Sequence, residues 1–415
     1  MVVHSIFSDP QGNIYEDTRL GLMGRLGRHL VRLSETDLID LPRGSDFFFM
    51  PDDRTVGWDL QRKQPKITDK NPVAVFLPPG YTRTYLPASL RQPGGKILPQ
   101  WAYTACGFLK DRMVAAGIKT DESPYWDPVT IDPREIRNKA DERRRQMPDN
   151  RIVNQLWTCA VKYGCMTARN FVLDRHEAAI PVSPSCNASC VGCISWQPAE
   201  SCVSAHDRIT FSPSVEEILE IAIPHLDSGP DRIVSFGQGC EGDPLLAAPT
   251  IEKAIRQIRA ATRAGTLNMN TNGSLPGALA RLCQAGLDSV RISINSAVPE
   301  TYAKYYQPKG YAFSAVHKSM EIAKENGLFL SINLLVFPGI TDERKEAQAI
   351  STLCRDRKVD LVQTRNLNID PELYLDLFPN LHESECMGIA QLLAELRKIP
   401  GLAIGNFNRP KEAWR

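Results

Sequence analysis

From residue 178 onward, short β-type runs alternate with amphipathic helical patterns, and this alternation limits the possible folds more than any other feature of the chain. The runs predicted as strands are Ala178–Ser183, Arg232–Phe236, Thr266–Asn270, Ser289–Asn295, Phe329–Val336 and Leu361–Arg365. Between them, apolar residues recur on one helical face, as Val215, Ile218 and Leu226 do. Six strand–helix units predict an α/β fold with a parallel sheet curved into a full or partial barrel. A flat doubly wound sheet would give a similar pattern.

The chain before residue 178 has a different character. Residues 1–130 are rich in proline, glycine and short β-type runs such as Asp46–Met50 and Val73–Leu77. Helical patterns follow in Asp132–Met147 and Ile152–Val172. We therefore predict four segments, namely a β-rich accessory domain (1–130), a helical connector (131–175), the barrel (176–370) and a C-terminal helical extension (371–415).

Composition excludes several classes of function. The 415 residues include 49 Lys and Arg against 48 Asp and Glu, so no large basic field favours nucleic acid as a partner. The longest apolar stretch, Leu328–Phe337, is too short to cross a bilayer, and Met1–Pro10 lacks the pattern of a secretory signal. We expect a cytoplasmic protein without a membrane partner. Eleven cysteines in such a chain indicate metal or redox chemistry rather than a disulfide framework.

Three of these cysteines follow the first predicted strand directly. Cys186, Cys190 and Cys193 lie within eight residues, at the strand end where barrel proteins carry their functional groups. Three thiolates at this spacing can surround one compact centre of a soft metal. Zinc and iron–sulfur both remain open at this point. A structural zinc normally takes four protein ligands, whereas an iron–sulfur cube held by three leaves one iron free.

The CxxxCxxC loop after the first strand resembles the radical S-adenosylmethionine (radical SAM) superfamily, and the likeness covers residues 178–370. The resemblance implies a partial (β/α)6 TIM-like barrel and a [4Fe–4S] cluster on Cys186, Cys190 and Cys193. It implies that SAM chelates the fourth iron through its amino and carboxylate groups. An electron from the cluster then cleaves SAM, and the 5′-deoxyadenosyl radical takes a hydrogen atom from a substrate. The resemblance also implies a reducing partner such as flavodoxin or ferredoxin.

One position departs from the family pattern. The residue before the third cysteine is usually aromatic in the family, whereas here it is Gly192. Trp196 is a candidate for the missing contact with the adenine of SAM, and a packing role for Trp196 is the alternative.

Later strand ends agree with the resemblance. Gly237, Gly239 and Glu241 resemble the glycine–glycine–glutamate segment that holds the SAM ammonium group, with Asp243 as the alternative acid. The remaining predicted cofactor-binding residues are Asn272, Ser293, Asn295, Asn333 and Arg365. Of these, Ser293 and Asn295 match the place of the family's ribose contacts, and Arg365 suits either the SAM carboxylate or an anionic substrate.

Other interpretations compete with this one. A non-catalytic protein would use the triad to hold zinc and organise an interaction surface, and an electron carrier would hold a cluster without binding SAM. Four further thiols are candidates for an auxiliary cluster or for ordinary buried cysteines: Cys159, Cys165, Cys202 and Cys240. The sequence names neither the substrate nor whether SAM is consumed or regenerated.

Overall fold

The structure is a computed structural model, and it describes residues 2–379 and 385–414. Its first third is a β-rich region of antiparallel strands, which form a ten-stranded sheet and two smaller sheets. These strands are β1 (His4–Ser8), β2 (Ile14–Gly21), β3 (Met23–Leu26), β4 (His29–Arg32), β5 (Ile39–Asp40), β6 (Asp46–Phe49), β7 (Asp53–Asp59), β8 (Gln64–Ile67), β9 (Asn71–Phe76), β10 (Tyr81–Arg83), β11 (Leu86–Pro87), β12 (Ser89–Arg91), β13 (Thr104–Leu109), β14 (Arg112–Ala115) and β15 (Gly117–Lys119). The predicted β-type runs at 46–50 and 73–77 therefore form β6 and most of β9.

Three helices connect this region to the rest of the chain: α1 (Pro133–Gln146), α2 (Arg151–Val161) and α3 (Met166–Val172). The helical pattern predicted over Ile152–Val172 is interrupted, because Gly164 adopts a positive φ of 67° between α2 and α3. This conformation is cheap only for glycine and ends a helix. Residues of all three helices belong to the largest apolar core, which they share with the strands and helices that follow.

The second half contains a parallel sheet of seven strands in sequential order. Its strands are β16 (Glu177–Ile180), β17 (Ile233–Phe236), β18 (Thr266–Thr271), β19 (Ser289–Ile294), β20 (Phe329–Val336), β21 (Leu361–Asn366) and β22 (Ala403–Gly405). The six predicted strands are all present, with ends that differ by at most three residues. The short seventh strand, β22, lies in the segment for which only helices were expected.

Helices alternate with these strands, as the apolar periodicity predicts. They are α4 (Val215–Asp227), α5 (Ala248–Ala261), α6 (Pro276–Ala285), α7 (Pro299–Tyr306), α8 (Phe313–Glu325), α9 (Arg344–Asp356), α10 (Pro371–Leu375) and α11 (Ile389–Arg397). Gly286 ends α6 in the left-handed conformation at φ 114°, as expected of a helix stop. Along the described ranges, no helix combines the length and the hydropathy needed to cross a membrane.

Side-chain hydrogen bonds cross the concave side of the sheet and show that it curves into a partial barrel. Arg291 on β19 donates to Gln363 on β21 (2.9 Å), and Gln363 donates to Asn408 in the tail after β22 (2.9 Å). Asn408 then donates to Glu177 at the start of β16 (2.7 Å). Among the described strands, β16 and β22 do not pair, so the barrel is open on that side. The fold predicted for this half of the chain is confirmed.

The β-rich region contacts the mouth of the barrel, where the carboxyl ends of the strands lie. Gly27 donates its N–H to the Pro338 carbonyl after β20 (3.1 Å), and Arg25 forms an ion pair with Glu372 on α10 (2.7 Å). A second ion pair joins Arg91 to Asp370 after β21 (3.1 Å). These contacts place the accessory strands beside the edge of the barrel at which the functional groups are expected.

Candidate functional site

The three predicted cluster ligands lie near one another in the loop of residues 186–193, which we call the cysteine loop. All three thiols are free and partly exposed. Burial, followed by the charges of the neighbouring Cys193 and Cys186, raises the pKa of Cys190 well above its usual value. Burial, followed by the charge of Asp243, raises the pKa of Cys186 to about 11. A bound metal would counter this rise in the pKa of the thiols, because a thiol that coordinates a metal is deprotonated.

Backbone hydrogen bonds hold the cysteine loop in a turned conformation. Cys193 donates its N–H to the Cys190 carbonyl (3.0 Å), and Val191 donates to the carbonyl of Tyr305 at the end of α7 (3.0 Å). Two glutamine side chains then bond the Cys193 carbonyl, Gln197 at 2.8 Å and Gln100 from the β-rich region at 3.0 Å. The loop is therefore supported from both halves of the chain.

An arginine donates a hydrogen bond to one of the thiols. The Nη2 atom of Arg208 lies 3.3 Å from the Sγ atom of Cys193, and its Nε atom donates to the Ser195 hydroxyl at 3.1 Å. The Ser195 hydroxyl in turn donates to the Glu241 carbonyl at 3.0 Å. A cation beside a thiol favours the thiolate form that binds a metal. Sequence reasoning missed Arg208, because nothing in the pattern around it marks it.

Gly192 has a neighbour that accounts for its lack of a side chain. A Cβ atom at this position would lie 3.0 Å from the hydroxyl oxygen of Tyr305, which is buried against the loop. Trp196, the candidate substitute for the missing aromatic residue, has 48% of its surface exposed. The aromatic ring that lies beside position 192 therefore comes from α7.

The loop of residues 237–243, which we call the glycine loop, lies against the cysteine loop. A Cβ atom at Gly242 would lie 1.9 Å from the Ser185 carbonyl oxygen, and one at Gly239 would lie 2.7 Å from a methyl carbon of Ile194. Gly237 adopts φ +83°, and its missing side chain leaves room for the Asn270 carbonyl. Neighbouring protein atoms lie so close to these three positions that a side chain would collide with them, which is why glycine is required. The same close contacts fix the two loops relative to each other.

The two acidic residues of the glycine loop are buried and bonded within the chain. Glu241 accepts hydrogen bonds from the N–H groups of Val182 (2.7 Å), Ser183 (2.8 Å) and Gln238 (2.6 Å). Burial outweighs these bonds and raises the pKa of Glu241 to about 8. Asp243 accepts from the Asn272 N–H at 2.7 Å. Both carboxyl groups thus brace the ends of β16 and β18, and a role for Glu241 toward the SAM ammonium group stays a prediction.

The other predicted residues lie at several places around the barrel. Asn272 donates to Asn187 in the cysteine loop (2.9 Å), and Asn333 donates to Ser293 across neighbouring strands (2.9 Å). Asn295 instead donates to the Tyr374 hydroxyl (3.1 Å). Arg365 faces the barrel interior with its guanidinium carbon 5.8 Å from the ring centre of Trp126. Their roles toward SAM remain predictions.

The four remaining candidate cysteines do not form one group. Cys159 and Cys240 are in hydrogen-bond contact, which lowers the pKa of Cys159, and Cys165 is close enough to influence both. Cys202 lies elsewhere, beside Ser201 and Tyr103. In the parts of the chain that the structure describes, no three His, Cys, Asp or Glu side chains, those of Cys186, Cys190 and Cys193 included, are placed to hold a single metal ion.

The cysteine loop can accept an iron–sulfur cluster. Its donor set is three free thiols, Arg208 donates a hydrogen bond to one of them, and the adjoining glycine loop brings backbone close without side chains. The fold and this site together define a parallel α/β barrel protein with three free thiols at its mouth.

Comparison with known families makes the assignment specific. Residues 180–348 match the model of the Radical SAM superfamily, so this part of the chain is a radical SAM domain. Members of the superfamily hold a [4Fe–4S] cluster and bind SAM.

Curated relatives include GTP 3′,8-cyclase of Crocosphaera subtropica, 27% identical over 195 residues, which are 46% of this chain and 55% of that protein. Molybdenum cofactor biosynthesis protein 1 of Mus musculus is 28% identical over 187 residues, 44% of this chain and 27% of that protein. The chain thus spans between a quarter and just over half of the length of these relatives. Among solved structures, Streptococcus suis SuiB bound to S-adenosylmethionine aligns with a TM-score of 0.40 and 14% identity, over 59% of this chain and 56% of that one.

Proposed function

We propose that this protein reductively cleaves SAM at a [4Fe–4S] cluster and directs the resulting radical to a substrate in the barrel. The observation that carries this proposal is the convergence of Cys186, Cys190 and Cys193 at the end of the first barrel strand. When bound, the cluster supplies the electron that splits SAM into methionine and a 5′-deoxyadenosyl radical.

The residues of this chain would hold the reactants in position and enclose the site. The cysteines would anchor the cluster, and the glycine loop packs closely against the residues that flank the cysteine loop and so supports it. Ser293 and Asn333 present polar atoms inside the barrel, and the Oδ1 atom of Asn333 is buried without a partner in the described residues. A ligand hydroxyl group that donates to this atom would satisfy it. Holding the reactants in fixed geometry is the main catalytic contribution available to such a site.

The β-rich region supports enclosure of the mouth. Gln100 contacts the cysteine loop, Arg91 contacts the segment after β21, and Gly27 contacts the segment after β20. Contacts at three strand ends support a covering role for the accessory region, which would keep water from the radical. Removal of residues 1–150 with full retention of substrate turnover would contradict this role.

The direct test is anaerobic incubation of the protein with dithionite and SAM, followed by an assay for 5′-deoxyadenosine. We expect the product from the wild-type protein and none from Cys190→Ala. In the cell, a low-potential protein such as flavodoxin or ferredoxin would replace dithionite as the electron donor. Formation of the product by Cys190→Ala at the wild-type rate would refute the proposal.

Two alternatives give different outcomes in simple measurements. A zinc protein would contain stoichiometric zinc after anaerobic purification, instead of about four iron atoms with matching sulfide. An electron carrier would contain the iron but would release no saturable heat when titrated with SAM.

A further inference from the structure

Two arginines project into the barrel interior with incomplete hydrogen bonding. Arg291 on β19 donates through Nη1 to Gln363 (2.9 Å), while its Nε atom is buried and has no partner in the described residues. For Arg365 on β21, the contact given by the structure within residues 2–379 and 385–414 is the ring of Trp126, 5.8 Å from the guanidinium carbon. Arg365 is partly exposed, and its guanidinium N–H donors have no carboxylate or carbonyl acceptor in the described residues.

The two cations influence each other. Burial lowers the pKa of Arg365 to about 9, and the charge of Arg291 lowers it further. Glu177 and Asp121 act in the opposite direction, but neither forms an ion pair with Arg365 in the described part of the chain. The interior therefore holds two guanidinium groups close to one another without direct pairing.

The nearby carboxylates are already engaged by other groups. Glu177 accepts hydrogen bonds from the Ser235 hydroxyl (2.5 Å) and from Asn408 (2.7 Å). Asp121 accepts from the backbone N–H groups of Asn406 (2.7 Å) and Phe407 (3.3 Å). Both arginines are only partly buried, but even a partly buried cation without a direct partner is unfavourable, so the two together leave a place for an anion.

We propose that Arg291 and Arg365 bind an oxyanion of the substrate, a carboxylate or a phosphate group, inside the barrel. The guanidinium fork matches the paired oxygens of either group, and the Trp126 ring restricts the orientation of Arg365. This assignment rests on the proposed function, because it treats the barrel interior as the place of the substrate.

Arg291 and Arg365 lie apart from the place expected for the SAM carboxylate. By the family resemblance, the SAM carboxylate binds the open iron, next to the cysteine loop. The cation found there is Arg208, which contacts Cys193 and acts on Cys186. The charged groups that act on Arg365 are Arg291, Glu177 and Asp121, and no cysteine is among them. The pair therefore lies apart from the cysteine loop, where a substrate would extend away from the cluster.

The test compares anion binding and SAM binding in the reconstituted protein under anaerobic conditions. Pyrophosphate and succinate serve as probes for phosphate and carboxylate groups, with binding followed by calorimetry and by the rise in melting temperature. We expect saturable binding of at least one probe to the wild-type protein and at least tenfold weaker binding to Arg365→Gln. Whichever probe binds more tightly identifies the class of oxyanion.

Two further variants complete the design. Arg365→Lys keeps the charge but removes the fork, so we expect an intermediate loss of binding; this variant also serves if Arg365→Gln does not fold. Arg281→Gln is the matched control, because Arg281 lies exposed on α6 and pairs with Glu252. Binding to Arg281→Gln should equal that of the wild-type protein.

The outcomes that would overturn the proposal are distinct from failure of SAM cleavage. Absence of saturable probe binding to the wild-type protein would refute it, as would equal binding to Arg365→Gln. A tenfold loss of SAM affinity in Arg365→Gln with unchanged probe binding would assign the arginine to SAM instead. If the wild-type protein bound a probe but made no 5′-deoxyadenosine, the proposed function would fail while the anion site on Arg291 and Arg365 would stand.

Discussion

The Nη2 atom of Arg208 donates a hydrogen bond to the Sγ atom of Cys193 over 3.3 Å. Arg208 is partly buried, and its Nε atom is held by Ser195, so the guanidinium group is positioned from two sides. Hydrogen bonds and positive charge next to a cluster sulfur stabilise the reduced, more negative state of an iron–sulfur cluster. Arg208 is therefore expected to make reduction easier.

Replacing Arg208 by glutamine should make reduction of the reconstituted cluster about tenfold less favourable, which is about 59 mV more negative for a one-electron couple. A redox titration followed by electron paramagnetic resonance measures this midpoint directly, without reference to turnover. Arg208→Lys is the control, since it keeps the charge and should shift the midpoint less. An unchanged or more positive midpoint in Arg208→Gln would contradict the expected effect.

Loss of one cluster ligand should lower the iron and sulfide content of the protein. In Cys190→Ala, we expect iron and sulfide content and the absorbance near 400 nm to fall severalfold, because two thiolates hold a cluster poorly. Cys283→Ala is the matched control, as Cys283 is a partly buried thiol on α6. Circular dichroism should show equal folding of both variants. Equal iron content in the two variants would remove the basis for the cluster assignment.

The contact between Gly192 and Tyr305 predicts a coupled effect on stability. A Cβ atom at position 192 would lie 3.0 Å from the Tyr305 hydroxyl oxygen and 3.3 Å from its Cε2 atom. We expect Gly192→Ala to lower the free energy of unfolding by about 1–3 kcal/mol, the usual range for overpacking a tight site.

Removing the Tyr305 hydroxyl should relieve part of this strain. In a double-mutant cycle, Gly192→Ala should cost less in the Tyr305→Phe background than in the wild-type background, as measured by urea unfolding. Strictly additive effects would show that the hydroxyl group does not restrict position 192.

Stability should fall in mildly acidic solution because of His225. Burial, with the charges of Arg232 and Arg143 in addition, lowers the pKa of His225 to about 4 in the folded protein, against about 6.5 in the unfolded chain. Between these values the unfolded chain binds a proton that the folded protein does not. The contribution of His225 is therefore fully present above pH 6.5 and is lost as the pH falls toward 4, at up to about 1.4 kcal/mol per pH unit.

Comparison of the wild-type protein with His225→Gln isolates this effect from the titration of carboxylates. Urea unfolding between pH 4 and 7 should show a smaller loss of stability on acidification in the variant. Parallel curves for the two proteins would show that His225 is not responsible.

Prediction from sequence succeeded where the signal was local. The strand at Phe329–Val336 was located to the residue, because a run of apolar and β-branched residues is bounded by Gly327 and Pro338. The break in the helical pattern at Gly164 was missed, because helical periodicity resumes one turn later and masks the interruption. The short strand β22 was also missed, since three residues carry too little periodicity to be recognised.

The alternation of strands and helices and the cysteine triad after the first strand could be derived from spacing along the chain, whereas the partial barrel, rather than a flat doubly wound sheet, was implied by the family resemblance. The features derived from spacing depend on neighbours within a few residues, and local sequence encodes those directly. The bond from Arg208 to Cys193, the ring of Tyr305 beside Gly192, the bond from Gln100 to the cysteine loop and the proximity of Arg291 to Arg365 emerged only from the folded chain. Each joins residues from different elements, most of them far apart in sequence, and their proximity follows from how the elements pack rather than from any local pattern.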